Sequence, residues 1–294
     1  MTIAVVTGAS GFIGTHLCER LHKEGFEVRV LSHADNGYSN ERLEQTFDSA
    51  DIVYHLAGLA HELKGLDAEN YRAVNGSLPA ILAERADQLG VGAFVWLSTI
   101  KVLGDVSERP LRIDDPVRPE GIYARSKVLA EQTIADLNPS LRIATLRPPL
   151  VYGPGVRGNF MSLLRLAERG LPVPLKAATA PRTMVSTANL VDLLVRLSRS
   201  GEGIFHVGDA QDLSVCDLYS RLCGLLRSRD RQFHVPLALI RSVARLTGRS
   251  AQVSRVFDAL QVDWSDTQTR LDWRPPHSID DQLERMMACY RHTV

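Results

Sequence analysis

T-G-A-S-G-F-I-G, residues 7–14, closes a short apolar run and opens a helix-like one, and its reading decides the fold. Glycines at this spacing let a backbone turn sharply, approach a ligand closely and pack a helix against a strand. A helix starting there offers unpaired N–H groups and the positive end of its dipole to phosphates. The stretch therefore predicts a dinucleotide gripped by Gly8, Ser10, Gly11, Phe12, Ile13 and Gly14. A glycine triplet alone is equally a plain turn; its place between a first strand and a first helix favours the ligand.

Working outward, short apolar runs at 3–7, 27–31, 52–56, 94–98 and 143–147 alternate with amphipathic stretches at 15–24, 70–89 and 123–137. Nearly continuous apolar strands alternating with helices imply a parallel sheet covered on both faces. The expected class is α/β, a doubly wound sheet of the Rossmann type. From residue 151 the texture changes. Pro and Gly punctuate 153–155 and 171–174, helix-like segments occupy 159–169 and 189–198, and 203–207 reads as one more core strand. The expected organisation is a dinucleotide-binding domain at 1–150, completed by about 186–210. A smaller, interleaved substrate lobe would be built from 151–185 and 211–294.

The 294 residues carry 34 Lys plus Arg against 34 Asp plus Glu, so no overall field favours nucleic acid or an anionic surface. The cysteines at 18, 216, 223 and 289 have no metal-ligand spacing, and we expect reduced, mostly buried thiols and no metal. The N-terminal apolar run is short and lacks a basic start, and no later run is long enough to span a bilayer. A cytoplasmic protein without membrane insertion is expected.

Proteins that prefer NAD commonly place an acid at the end of the second strand to hold the ribose 2′-hydroxyl. This chain has Ser32 and His33 there, and no carboxylate before Asp35. That removes the repulsion against a 2′-phosphate, which Arg29 or His33 could help bind. NADP(H) is the favoured expectation and NAD(H) the alternative.

Y-A-R-S-K puts Tyr123 and Lys127 four residues apart, on one face of a helix. A free phenol has a pKa of about 10, and a nearby ammonium favours the phenolate, which suits proton transfer to or from an alcohol or carbonyl. Such a pair is common on helix surfaces. Here L-S-T-I-K-V-L-G, residues 97–104, adds the hydroxyls of Ser98 and Thr99 at a strand end, where open α/β sheets bind ligands.

Together these motifs resemble the extended short-chain dehydrogenases/reductases that act on nucleotide sugars, over nearly the whole chain. The G-x-x-G-x-x-G spacing is that family's variant of the glycine loop. Residues 51–60, D-I-V-Y-H-L-A-G-L-A, are similar to its fourth-strand motif, which implies that Leu56, Ala57 and Gly58 lie beside the nicotinamide half. Y-R-A-V-N, ending at Asn75, resembles the family's helix whose asparagine contacts or supports that site, and L-R-P-P-L-V-Y-G-P-G, residues 146–155, also fits the family and implies a cofactor contact from Pro149. Counting back from Gly104 aligns Thr99, not Ser98, with the catalytic hydroxyl.

The resemblance also implies substrate contacts, from Asn159 near a nucleotide diphosphate, from Arg182 as a phosphate clamp, and from His61 and Lys101 facing the sugar. In the family's 4,6-dehydratases an acid pair follows the catalytic threonine; here Ile100 and Lys101 stand there. The expectation is therefore a 4-ketoreductase acting on a UDP-4-keto-6-deoxy-N-acetylhexosamine, with a UDP-hexose 4-epimerase as the alternative. A non-catalytic NADP-sensing protein is a minor third reading. Pairing of the helices at 78–89 and 127–137 across a homodimer would follow the family's habit. Two departures stand out: Leu103 replaces the usual tyrosine, and the adenine-side G-D-x-x-D segment is missing.

Overall fold

The computed structural model describes residues 1–32, 38–60, 67–137 and 139–293. His33 and His61, two expected ligand contacts, lie outside these described residues. The chain begins with β1 (Ile3–Thr7), α1 (Phe12–Lys23), β2 (Glu27–Leu31), α2 (Asn40–Phe47) and β3 (Ile52–His55). A continuous helical run follows, made of α3 (Ala68–Tyr71), a π-helical turn (Arg72–Ser77) and α4 (Leu78–Gln88). Then come β4 (Ala93–Leu97), α5 (Gly121–Ala135), β5 (Arg142–Arg147), β6 (Leu150–Tyr152), α6 (Gly158–Arg169), β7 (Met184–Ser186), α7 (Thr187–Ser200) and β8 (Gly203–His206). Five helices finish the chain: α8 (Val215–Leu226), α9 (Leu237–Leu246), α10 (Ser250–Phe257), α11 (Ser265–Leu271) and α12 (Ile279–Thr293).

Six strands form one parallel sheet in the order β2-β1-β3-β4-β5-β8. The order reverses direction at β1, which leaves a crevice at the carboxyl ends of β1 and β3. The motif at 51–60 thus lies on the third strand of this chain, with β2 at the edge of the sheet. That fits the absent adenine-side segment, because the glycine-loop half of the sheet is one strand shorter than the common order.

Each face of the sheet has its own core. On one, Val6, Tyr54, Val95 and Leu146 pack with Leu17 and Leu21 of α1 and Leu190 and Leu194 of α7. On the other, Val5, Val53, Phe94 and Trp96 meet Leu43 and Phe47 of α2, Leu82 and Ala86 of α4, and Ala130 and Ile134 of α5. The helix expected over 70–89 is interrupted by its π turn, where Gly76 lets α5 come close: a Cβ there would sit 2.8 Å from a Leu129 methyl.

Beyond the sheet, β6 and β7 pair in parallel, and Tyr152, Phe160, Leu164, Tyr219, Leu222 and Leu283 form a third core. Trp273 of L-D-W-R-P-P is buried edge-on against Trp264, and its indole N–H donates to Asp192 Oδ2 at 2.9 Å. A fourth small cluster joins Ile100, Val102 and Leu103 to Leu260 and Val262. No disulfide forms: Cys216 and Cys223 are buried, Cys18 is half-buried and Cys289 is exposed, so burial covers only part of the cysteine set. Among the described residues no helix is long and apolar enough to cross a membrane, and no group of three His, Cys, Asp or Glu could hold a metal.

Candidate active site

The glycine loop is packed too tightly to admit side chains. Gly8 has φ +71°, and a Cβ there would meet Ala57 N at 2.7 Å; one on Gly14 would meet Gly8 O at 2.1 Å. Gly11 N donates to Gly8 O at 2.9 Å, closing the turn, and Gly11 caps α1 with no side-chain hydrogen bond. The first turn of α1 carries no acid, so its free N–H groups and positive dipole end face the crevice uncompensated. Those donors, and backbone that a Cβ would obstruct, fit a dinucleotide pyrophosphate. Ser10 is exposed at the tip of the loop, while Phe12 and Ile13 are half-buried in the first turn.

The loop is tied to β3 beneath it. Thr7 Oγ1 lies 2.7 Å from His55 Nδ1 and accepts from Ala57 N at 3.2 Å. His55 is fully buried, and burial, with the Lys127 charge adding to it, lowers its pKa to about 3. Next along the chain, Leu59 N donates to Asn75 Oδ1 at 2.9 Å, and Asn75 Nδ2 donates to Leu59 O at 3.1 Å and to Ser126 Oγ at 3.2 Å. Asn75 sits in the π turn, a widened geometry that often marks functional sites. It pins residues 57–59, and Gly58 is so close that a Cβ would lie 2.9 Å from Asn75 Oδ1 and 3.5 Å from Lys127 Nζ.

Tyr123, Lys127 and Thr99 converge at the carboxyl end of β4. Lys127 Nζ donates to Leu97 O at 2.9 Å and lies 5.0 Å from the Trp96 ring centre, a cation–π arrangement. Burial lowers the Lys127 pKa to about 8, against an opposing pull from Glu131. The half-buried Tyr123 goes the other way: burial raises its phenol to about 12, and a hydrogen bond with Thr99 partly offsets this. The sequence led us to expect Lys127 to depress that phenol. In the structure the offset comes from Thr99, because the ammonium is turned to the Leu97 carbonyl.

Ser98 and Thr99 are separated by the pleat. Ser98 Oγ donates to Glu131 Oε1 at 2.6 Å, away from Tyr123. Glu131 also receives Arg147 Nε at 2.9 Å and Nη2 at 2.5 Å, a forked ion pair that is almost fully buried. Sequence reasoning missed Glu131 and Arg147. The available signal was the face shared by Tyr123, Lys127 and Glu131 at successive four-residue steps. Pro149 is buried just past β5, and Pro148 O receives Ile100 N at 3.0 Å, fixing the turn that carries Thr99.

The expected substrate residues divide. Lys101 Nζ donates to both Asp105 oxygens, at 2.8 and 3.1 Å, and Arg255 lies 3.9 Å from the same carboxylate. Arg182 Nη1 donates to Asp258 O at 2.6 Å. Burial lowers the Arg182 pKa, Asp105 and Asp258 oppose that, and Arg255 reinforces it. Lys101, Arg182 and Arg255 thus gather around Asp105, and Asp258 is shared with Arg241. Asn159 is exposed at the second position of α6, apart from this cluster's hydrogen bonds. Ser32 is half-buried just beyond the end of β2. Arg29, offered above as a 2′-phosphate partner, is committed elsewhere: its Nε holds Glu27 at 2.8 Å and its Nη1 holds Asp48 O at 2.5 Å.

Comparison with known proteins bears on the family of the chain. The chain is 33% identical over 310 aligned residues to the UDP-glucose 4-epimerase of Vibrio cholerae, covering 97% of this chain and 94% of that one. It is 28% identical over 211 residues to the dTDP-4-dehydrorhamnose reductase of Mycolicibacterium smegmatis, covering 70% of this chain and 64% of that one. The solved structure of UDP-N-acetylglucosamine 4-epimerase from Bacillus cereus superposes with a TM-score of 0.81 over 99% of this chain and 100% of that one. At 18% identity that last likeness is one of fold. Residues 4–208 match the model of the NAD dependent epimerase/dehydratase family, and this chain is a member of that family.

Proposed function

We propose that the protein is a UDP-sugar 4-epimerase with Tyr123 as its proton-transfer group, Thr99 as the hydroxyl that positions it and Lys127 as the adjoining cation. The observation that carries the reading is the convergence of these three side chains beside a glycine loop that fits a dinucleotide. The sequence alone put the 4-ketoreductase first. The end-to-end likeness to a 4-epimerase moves the epimerase ahead, and the likeness to a reductase over 70% of the chain keeps the reductase second. With Arg29 engaged by Glu27 and Asp48, NAD is the better-supported dinucleotide.

When bound, the nicotinamide supplies an acceptor and donor of hydride at C4 of the sugar. Tyr123, a proton donor through the neutral range at about 12, would donate its proton to the C4 oxygen of the sugar. Taking the proton in the forward direction needs positive charge near the phenol, and Lys127, four residues on along the same helix, is the group that would supply it. Asn75 and Gly58 pack closely beside Lys127 and hold the floor of the site in place. Arg182, with Lys101 and Arg255 near it, would take the diphosphate, since a guanidinium fork suits phosphate oxygens. Two chains would pair through the outer faces of α4 and α5, where Ile81 and Ile122 are exposed, a dimer to be read by light scattering.

Incubating the purified protein with UDP-glucose and UDP-N-acetylglucosamine without added nucleotide tests the reaction. Interconversion of the C4 epimers, with NAD released on denaturation, is the expected result. Turnover only of a 4-keto sugar, and only with added NADPH, would establish the reductase instead.

A further inference from the structure

Four consecutive residues at the end of β4 engage one face of α5. The Trp96 ring and Leu97 O both meet Lys127, Ser98 meets Glu131, and Thr99 meets Tyr123. The Lys127 ammonium is almost fully buried, and among the described residues its hydrogen bond goes to a neutral carbonyl, not to a carboxylate. Glu131, one turn further on, is already occupied by Arg147 and Ser98. An ammonium has three N–H donors, and Leu97 O accepts one of them at 2.9 Å. Gly58 closes a second side, where a Cβ would lie 3.5 Å from Nζ. Trp96 closes a third with its ring, whose centre is 5.0 Å from Nζ. The indole N–H is itself buried without a hydrogen-bond partner among the described residues, a costly group to place there. An aliphatic side chain would pack at this point without stranding a donor, so what tryptophan adds is the negative face of its ring.

From this geometry we propose that Trp96 is a positioning residue whose ring holds the Lys127 ammonium in place and keeps it charged in its buried site. The proposal rests on the reading of Lys127 as the cation that assists the Tyr123 phenol. A ring face attracts a cation through its quadrupole and, unlike a carboxylate, leaves the net charge of the site positive. That difference matters, because a carboxylate against the ammonium would cancel the charge that the phenol needs. Desolvation works the other way: burial lowers the Lys127 pKa to about 8, and Glu131 pulls against that. The other charged or titratable groups facing the ammonium are Tyr123 on its own helix, His55 on β3, and Arg147 of β5 behind Glu131. His55 and Tyr123, at about 3 and about 12, do not titrate near pH 8. Loss of the Lys127 proton in that range should therefore show both in turnover and in the light emitted by Trp96, because a charge over an indole face shifts its emission.

UDP-sugar turnover and tryptophan emission, each followed against pH on the full chain, test it. The wild-type kcat should fall as pH rises through about 8, where Lys127 loses its proton. Trp96→Leu should move that fall about one pH unit lower, and Trp96→Phe, which keeps a weaker ring face, should move it by less. A merely structural role for Trp96 would lower kcat at every pH and leave the position of the fall unchanged, which would overturn the proposal. The emission needs no substrate, and the other two tryptophans, Trp264 and Trp273, pack against each other. A step in emission near pH 8 that both Trp96→Phe and Lys127→Met remove is the expected result. Wild-type emission that stays flat from about pH 7 to about pH 9 would overturn the proposal even if Tyr123 proves essential. A step present while Tyr123→Phe retains turnover would overturn the reading of the phenol and leave the ring-held charge supported. Should Trp96→Leu fail to fold, Trp96→Phe and the emission step decide.

Discussion

Around Glu131 the charges are buried and engaged on every side, whereas around Asp105 they lie half-exposed and share their partners. Glu131 accepts a forked Arg147 and the Ser98 hydroxyl, with the two ionic side chains only 4% and 9% exposed. Asp105 holds Lys101 closely and Arg255 loosely, and Arg182 rests on a backbone carbonyl. The first arrangement fixes a frame: it locks the end of β4 to α5 and β5, and so sets where Thr99 and Tyr123 meet. The second leaves positive charge incompletely matched. Under the proposed function, rigidity would serve the chemistry and spare charge the grip on substrate.

The largest effect should come from Tyr123→Phe, which removes the proton carrier and leaves the frame intact. Turnover on UDP-sugars should fall by about 10²–10⁴-fold with the melting temperature unchanged. Survival of turnover would place the proton transfer elsewhere. Glu131→Ala should cost about 3–5 kcal/mol of stability, read by denaturant unfolding, because it strands a buried Arg147. If the cost is below about 1 kcal/mol, comparable with a surface ion pair, the contrast between the two regions fails.

Arg182→Ala should act on binding, raising KM for the UDP-sugar by about 10–100-fold, the range of one charge-assisted hydrogen-bond pair, with kcat nearly kept. An equal loss in kcat would move Arg182 into the catalytic frame.

A further effect is one of pH. His55 stays neutral when folded, down to about 3, but takes a proton near 6.5 when unfolded. The unfolded chain therefore binds the extra proton between those values, so stability is intact above pH 6.5 and falls as pH drops toward 3. His55→Asn, keeping a polar partner for Thr7, should flatten that acid slope by up to one proton's worth in unfolding measured from pH 7 to 4. His206, lowered to about 4 chiefly by burial, should leave a residual slope of the same sign.

Much of the local geometry around Tyr123 could be read in advance, because it depends on local spacing. Glycines at 8, 11 and 14 and the four-residue step from Tyr123 to Lys127 carry their geometry with them. The choice of Thr99 over Ser98 came from counting back from Gly104, and in the structure Thr99 is the hydroxyl that bonds the phenol. What escaped was whatever depends on elements far apart in the chain. Glu131 and Arg147 lie 16 residues apart and look like ordinary charged residues until β5 and α5 are packed together. Arg29 looked free in the sequence and is occupied in the structure, because the loop after α2 brings Asp48 to it.

The balance of charge shows the same limit. Composition gives zero, yet residues 227–257 hold seven arginines and one acid, and only folding shows Leu239, Val243 and Leu246 of α9 left uncovered. Alternation of strand and helix, the glycine turn and the helix-face pairing are short-range consequences of backbone sterics and periodicity, so the sequence alone determined them. The direction of each side chain's hydrogen bond, the fate of each charge and the faces left open depend on which distant element arrives beside them. Those were decided only by the tertiary structure, because burial and pairing are properties of the packed molecule.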